Sequence, residues 1–454
     1  MLDRKFQDRL NKSLFFTMNI VHFSTHENRG GAAKAAYRLH LGLNLAGCNS
    51  KLAVAYKNSD RTDVVKIAPT PLNFSKRLHR YIIRHVQSIN SLLGSKSQYR
   101  GTKLDIDFYK STRPVGYELF SDIRTPYRLK KSQEMLRPDI VHLHWIAQFV
   151  DYESFFREIT RLSKPIVWTL HDMNPFTGGC HYDDYCGKYE SGCGACPQLG
   201  SNLSDDLSSH IWHKKKDIFT NIPTSKMHLA SPSEWMAECA KKSPLLRRFP
   251  ITVIPYGINT DDFSPRDREF SRDVLGLPRD AKVLLFLADS VSNRRKGYRF
   301  FEKIVENIGA DLNICTAILG RDLPVKKASA AQYYLGHIEQ DRLLSLAYSA
   351  ANIFLIPSLQ DNLPNTVLES LSCGTPVIGF DVGGLAEMIK DSDTGLLVER
   401  GNENALAKAV KNLFLENELS ARMSRNGRAV ALKKFNLDLA SKRYTELYHF
   451  ILSR

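Results

Sequence analysis

Short apolar runs rich in β-branched residues alternate with longer amphipathic runs along most of the chain. Met18–Ser24, Lys51–Tyr56, Ile140–Leu143 after Pro138, Ile166–Leu170 after Pro165, and His228–Ala230 before Ser231-Pro232 read as strands. Between the first two, Gly30-Gly31 precedes Ala32–Leu45. There Ala33, Ala36, Tyr37, Leu39, His40 and Leu43 recur near helical spacing, and Gly47 closes the helix. That is a β-α-β unit. Ser154–Leu162 and Glu234–Lys241 read as further helices. The strands are short, apolar and β-branched, as expected when helices cover both faces of a parallel sheet.

After Pro255-Tyr256-Gly257 the alternation begins again. Strands are expected at Val283–Leu287, Ile314–Leu319, Tyr333–Leu335, Ile353–Ile356, Val377–Phe380 and Gly395–Val398. Helices are expected at Tyr298–Asn307, Asp341–Ala350, Asn365–Cys373, Leu385–Lys390, Glu403–Leu415 and Glu418–Phe435. The pattern predicts an α/β protein of two Rossmann-like domains. Residues 1–17 form a polar lead-in, 18–254 the first domain, 255–436 the second, and 437–454 a final helix returning to the first domain. The uncharged run Leu343–Gln360 carries Ser345, Asn352 and Pro357, so it reads as a helix followed by a strand and not as a membrane span. The first 20 residues mix Asp3, Arg4, Lys5, Asp8 and Arg9 with a short apolar patch, unlike a secretion signal, and the expected location is cytoplasmic.

Composition narrows the class without choosing a function. With 454 residues, 43% hydrophobic and 24% charged, collagen-like, mucin-like and disordered chains are excluded. Lys and Arg number 63 against 48 Asp and Glu, a net +15. The excess is local, because residues 61–131 hold 15 basic and 5 acidic side chains. Such a patch invites an anionic partner. Within it, Leu78, Tyr81, Ile82, Val86, Ile89, Leu92 and Leu93 form a helical apolar stripe flanked by Lys76, Arg77, Arg80 and Arg84. This pattern suits either packing on its own domain or contact with an anionic membrane surface.

Four of the eight cysteines cluster: Cys180, Cys186, Cys193 and Cys196. Cys193 and Cys196 form a C-x2-C pair between Gly192, Gly194 and Pro197, the makings of a tight knuckle. Four thiolates would suit a structural zinc ion, the alternative being free thiols in a loop.

Neither a dinucleotide-binding glycine fingerprint at a strand-to-helix turn nor a P-loop is present, so the chemistry lies elsewhere. Asp361 and Glu369 flank the segment Asn-Leu-Pro-Asn-Thr-Val-Leu, which follows a strand and runs into a helix. Pro364 suits a first helical turn, and the N–H groups of Asn365, Thr366 and Val367 would then face an anion. Asp361 would sit in the loop and Glu369 a turn or more along the helix, where a carboxylate can accept bonds from a pair of ligand hydroxyls. Gly374-Thr375-Pro376 launches the next strand at the carboxyl edge of the sheet, where open α/β sheets bind ligands.

The stretch Pro357 to Gly384, "PSLQDNLPNTVLESLSCGTPVIGFDVGG", resembles the E-x7-E region of glycosyltransferase family 4, whose members are retaining, sugar-nucleotide-dependent enzymes of GT-B fold. Other blocks agree in order: "RGGAAKAAYRLHLGLNLAG" resembles the family's first glycine loop and helix, "RPDIVHLHW" its third or fourth strand, "VIPYGINTDDFSP" the interdomain segment, and "RRKG" the donor-phosphate motif. "TLHDMNPFTGGCHY" and the later cysteines resemble a subgroup tied to bacterial colanic acid and exopolysaccharide assembly. Two departures stand out. The first acidic residue is Asp361 where the family has Glu, and the usual glycine-arginine pair is replaced by Asn293-Arg294-Arg295 ahead of Lys296-Gly297.

The resemblance implies hexosyl transfer from a nucleoside diphosphate sugar to a saccharide or lipid-linked saccharide, with retention, in surface polysaccharide synthesis at the inner face of the plasma membrane. Lys296, with Arg294 or Arg295, would stabilise charge on the leaving pyrophosphate, so no catalytic metal is expected. Gly30 and Gly31 would let backbone approach the same phosphates. His171 would line the site beside Asp361, orienting and stabilising rather than attacking. A GT-B epimerase or hydrolase is the neighbouring alternative. A zinc-containing nucleic-acid-binding protein is a different class, but it leaves Asp361 and Glu369 unexplained, and no nucleic acid is expected as partner.

Overall fold

The computed structural model describes residues 17–70, 103–128, 137–307, 313–321 and 331–454. The apolar stripe at 76–93 and its basic flank lie outside them. The first domain holds β1 (Asn19–His26), β2 (Asn49–Tyr56), β3 (Val64–Lys66), β4 (Ile140–Leu143), β5 (Ile166–Thr169), β6 (Met227–Ser231) and β7 (Ile251–Val253). These pair in the order β3-β2-β1-β4-β5-β6-β7, every pair parallel. The second holds β8 (Lys282–Ser290), β9 (Ile314–Arg321), β10 (Ala331–Gly336), β11 (Ile353–Ile356), β12 (Val377–Phe380) and β13 (Gly395–Val398). Their order is β10-β9-β8-β11-β12-β13, again wholly parallel.

Side-chain alternation divides the first sheet between two cores. Val21, Phe23, Val141, Ile166 and Trp168 face one, while Ile20, Ile140 and Val167 face the other. The helix Leu437–Leu452 covers that second face, contributing Tyr444, Leu447 and Tyr448. Gly257 marks where the chain crosses between domains: a Cβ there would press on the backbone of Leu437 and on Ala440.

Among the described residues, the strands β3 and β7 and the helices Leu207–Thr220 and Arg268–Leu275 escape the sequence pattern. The helix expected over 385–390 shrinks to Leu385–Met388. Pro364 stands one place earlier than expected, as the extended residue capping the helix Asn365–Ser372.

Both strand orders reverse direction once near the middle, between β1 and β4 and between β8 and β11. At such switch points the loops leaving adjacent strands part and open a crevice. The loop after β1 carries Gly30-Gly31, and β4 leads to His144. In the second domain, β8 leads to Arg294–Lys296 and β11 to Ser358–Asp361. The two crevices face each other.

Candidate active site

A cleft of about 920 Å³ lies between the domains. Its walls include Gly30, Gly31, His171, Asp172 and Tyr256 on one side, and Arg295, Lys296, Asp361, Asn365, Thr366 and Glu369 on the other. Most residues that the sequence singled out therefore meet in one space.

The 3-10 turn Arg294–Lys296 presents the cations. Asn293 caps it by accepting from the Arg295 N–H at 3.0 Å, and Gly297 ends it at φ 71°. A side chain at Gly297 would collide with the carbonyl of Pro357, so this turn packs directly on the loop after β11. Lys296 Nζ donates to Asp361 Oδ2 at 2.7 Å, and Arg295 Nη1 lies 3.1 Å from the same oxygen. Ser358 Oγ also donates to it, at 3.2 Å. Burial alone would raise the Asp361 carboxyl, but Lys296 and Arg295 overcome that penalty and hold it down at about 2. Asp361 is thus a fixed anion that anchors two cations at the cleft.

Arg294 and Arg295 separate clearly. Arg295 stacks over the Tyr182 ring at 3.9 Å and donates to Glu118 through Nε (2.9 Å) and Nη2 (2.5 Å). Arg294 sits over the ring of Tyr117, 5.3 Å away, donates to that phenol, and leaves its side chain 47% exposed. Arg295 lines the main cleft and Arg294 a small adjoining recess.

Glu118 is a site residue the sequence did not reveal. It comes from the first domain, 177 positions before Arg295, and also accepts from Asn293 Nδ2 at 2.6 Å. Arg295 pulls its carboxyl below the usual range against the opposing effect of burial.

At the rear of the cleft, Glu369 is 2% exposed. Arg38, from the helix Gly31–Leu45, donates to Glu369 Oε1 at 2.8 Å, and Tyr348 Oη donates to Oε2 at 2.9 Å. Each oxygen keeps a further lone pair, so a pair of ligand hydroxyls can still be accommodated. Asn365 Nδ2 reaches across to the Gly31 carbonyl at 2.7 Å, while the Val367 N–H is spent on the Pro364 carbonyl at 3.1 Å. Of the three N–H groups expected to face an anion, that one is already used.

On the opposite wall, burial lowers His171 to about 4 against the opposing pull of Asp172, so the ring is neutral at physiological pH. Asp172 Oδ2 accepts from Trp145 Nε1 at 2.8 Å and lies 2.6 Å from His181 Nδ1, while Ser121 Oγ is 2.8 Å from His181 Nε2. These are the bonds of a Ser-His-Asp triad. Ser121, however, is only 3% exposed and is absent from the cleft wall, so the arrangement braces Asp172 and does not offer a nucleophile.

The domains are tied together near the reaction space. Asn362 Nδ2 donates to the carbonyls of Leu170 (3.0 Å) and His171 (3.1 Å), and Gln360 Nε2 donates to Asp183 Oδ1 at 2.8 Å. The cysteine-bearing loop follows directly from this contact. Cys180 and Cys196 are buried, Cys186 and Cys193 partly so, and all four are free thiols. The knuckle is real: Gly192, Cys193, Gly194 and Ala195 all have positive φ. Burial pushes the Cys193 thiol up to about 12 and Cys196 up to about 11. Among the described residues, His22, His142 and His144 bring potential ligand atoms within 4.8 Å of one another.

Comparison with known proteins gives a consistent picture. Residues 267–430 match the family model described as Glycosyl transferases group 1. A D-inositol 3-phosphate glycosyltransferase from Xylanimonas cellulosilytica is 28% identical over 215 residues, which are 44% of this chain and 51% of that protein. The matched part thus spans about half the length of that relative. The putative colanic acid biosynthesis glycosyl transferase WcaC of Escherichia coli K12 is 23% identical over 385 residues, 83% of this chain and 86% of its own. Among solved structures, sucrose-phosphate synthase from Thermosynechococcus elongatus superposes with a TM-score of 0.66 at 18% identity, covering 96% of this chain and 99% of that one. The Anabaena protein HepE, in complex with UDP-glucose, gives 0.60 at 12% identity, covering 95% and 99%. The fold is therefore GT-B: two parallel-sheet α/β domains facing each other across a cleft.

Proposed function

We propose that this GT-B chain with its group 1 glycosyltransferase segment transfers a hexosyl group from a nucleoside diphosphate sugar to a saccharide or lipid-linked saccharide, retaining anomeric configuration. The observation that carries the reading is the convergence of Lys296 and Arg295 on Asp361 at the cleft wall. Cleaving a sugar–phosphate bond leaves new negative charge on the departing diphosphate. Two preorganised cations in a partly buried site stabilise that charge without reorganising. Before donor binds, Asp361 and Glu118 balance them, so the diphosphate would replace or share carboxylate contacts.

In this scheme the spare lone pairs of Glu369 accept the ribose hydroxyls, and the Gly30-Gly31 loop receives the phosphates. Neutral His171 lines the site beside the reacting carbon and acts through its neighbours, because Tyr256 and His144 occupy both of its ring nitrogens. The leaving phosphate takes the acceptor proton on the same face, so no enzyme nucleophile is required. HepE is a fold neighbour crystallised with UDP-glucose, which favours a uridine diphosphate sugar as the first donor to try. Likeness to WcaC over most of both chains favours exopolysaccharide assembly as the setting. A lipid-linked acceptor would bring the chain to an anionic membrane surface, with the basic stripe at 76–93 as the contact; among the described residues no helix is long and apolar enough to cross a membrane.

The test is a panel of nucleoside diphosphate sugars incubated with candidate saccharide acceptors, the product anomer being read by NMR. A glycoside of the donor's own configuration supports the reading. Inversion, or release of free sugar regardless of acceptor, contradicts it in favour of different chemistry.

A further inference from the structure

Three imidazoles run in series from the cleft into the core of the first domain. Tyr256 Oη lies 2.6 Å from His171 Nδ1, His171 Nε2 lies 2.9 Å from His144 Nδ1, and His144 Nε2 lies 2.9 Å from His22 Nδ1. The δ nitrogen of one ring always meets the ε nitrogen of the next. In a neutral imidazole one nitrogen donates and the other accepts, so the proton position on any ring dictates the others. His22, His144 and His171 are 0%, 3% and 8% exposed, and burial keeps all three neutral at ordinary pH.

Such a chain has two self-consistent states. In the first, Tyr256 donates to His171 and every ring is protonated at Nε2. In the second, every ring is protonated at Nδ1, His171 donates to Tyr256, and the tyrosine's own proton is free to point into the cleft. The far end decides between them. His22 Nε2 is buried and has no hydrogen-bond partner among the described residues. The first state would put an N–H there with no acceptor. The second puts a bare lone pair there, and buried acceptors go unpaired more readily than buried N–H donors.

The cluster is a poor metal cage despite its close nitrogens. His142, the third member by distance, already uses Nδ1 on Tyr448 Oη at 2.7 Å and Nε2 on Thr169 Oγ1 at 2.8 Å.

We propose that Tyr256 is a further substrate-positioning residue, held as a hydrogen-bond donor towards the cleft by an all-Nδ1–H relay through His171, His144 and His22. Its partner is a hydroxyl or ring oxygen of the bound sugar. Naming that ligand a sugar rests on the proposed transfer activity; the relay itself does not.

The experiment uses full-length protein labelled with 15N at its 14 histidines, without ligand, at pH 7.5. Long-range 1H–15N correlations report which ring nitrogen is protonated, with assignments from His171→Asn and His22→Asn spectra. The expected result is the Nδ1–H form at His22, His144 and His171, the reverse of the form free imidazole side chains prefer. Finding Nε2–H, or a doubly protonated ring, at any of the three overturns the relay. In the second arm, Tyr256→Phe should lower turnover at least tenfold while donor dissociation changes by less than threefold. Unchanged turnover overturns the positioning role. If no sugar is ever transferred, the function reading fails while the tautomers still decide the relay.

Discussion

Arg38 and Glu369 form an ion pair across the domain boundary, 2.8 Å long, with 6% and 3% of their side chains exposed. Arg38 also holds Asp341 at 3.0 Å, on the helix that supplies Tyr348 to the same glutamate. The carboxylate best placed for a ribose is therefore kept in register by the opposite domain. Replacing Arg38 with Met should leave Glu369 buried beside a single neutral donor, costing about 3 kcal/mol. Denaturant unfolding should register that loss, and nucleotide affinity should fall with it; an unchanged midpoint and affinity would mean the pair is incidental.

Gly383 stands at φ 57°, and a Cβ there would collide with the carbonyl oxygen of Asp361. Gly383→Ala must therefore push the Asp361 loop away from Lys296 or strain the turn. The expected outcome is a destabilisation of about 1–3 kcal/mol, the usual range for overpacking, together with a marked fall in turnover. Wild-type turnover from the variant would show that the loop position is not critical.

Acid should weaken the fold well above the carboxylate range. His171 titrates at about 4 in the folded chain against roughly 6.5 when unfolded. The unfolded chain thus binds more protons between those values, so this contribution is complete above pH 6.5 and is lost as pH falls to 4. For His171 alone it amounts to roughly 3 kcal/mol, and His22, His142 and His144 act in the same direction. Asp361, held at about 2, adds a loss below about pH 4. Unfolding midpoints measured from pH 8 to 4 should drop steeply below 6.5; a flat profile to pH 4.5 would contradict the buried neutral histidines.

The paired sheets were legible because β4, β5, β11 and β12 are buried along their whole length and carry mostly apolar side chains. The three-residue strands Val64–Lys66 and Ile251–Val253 hold too few apolar positions to signal anything. The helix Leu207–Thr220 was hidden by Lys214-Lys215-Lys216, although Lys215 is fully buried and donates to the carbonyls of Asn174 and Thr177. At the site, the motif residues were readable, and Lys296, Asp361 and Glu369 line one cleft. Their partners were not, since Glu118 and Arg38 come from 177 and 331 positions away. An arginine among the buried alanines and leucines of the first helix was the one available hint. His22 and His142 sat in plain view as imidazoles inside apolar strands, but only parallel register places them side by side.

The cysteine loop makes a separate claim. If Cys180, Cys186, Cys193 and Cys196 hold a structural zinc ion, purified protein should contain about one metal per chain, and Cys193→Ser should lose it and unfold more easily. Binding would release protons from thiols that burial otherwise keeps neutral. Metal-free protein of full stability would leave the strained knuckle as a packing feature alone.

The central claim is that Lys296 and Arg295 receive the diphosphate of a sugar nucleotide, and titration calorimetry tests it most directly. Uridine diphosphate and its glucose conjugate would be titrated into wild type, Lys296→Ala and Arg294→Ala. The account predicts saturable binding to wild type, at least about tenfold weaker in Lys296→Ala, as expected for losing one charged contact, and nearly unchanged in Arg294→Ala. Binding that ignores Lys296, or that depends on Arg294 instead, would contradict it.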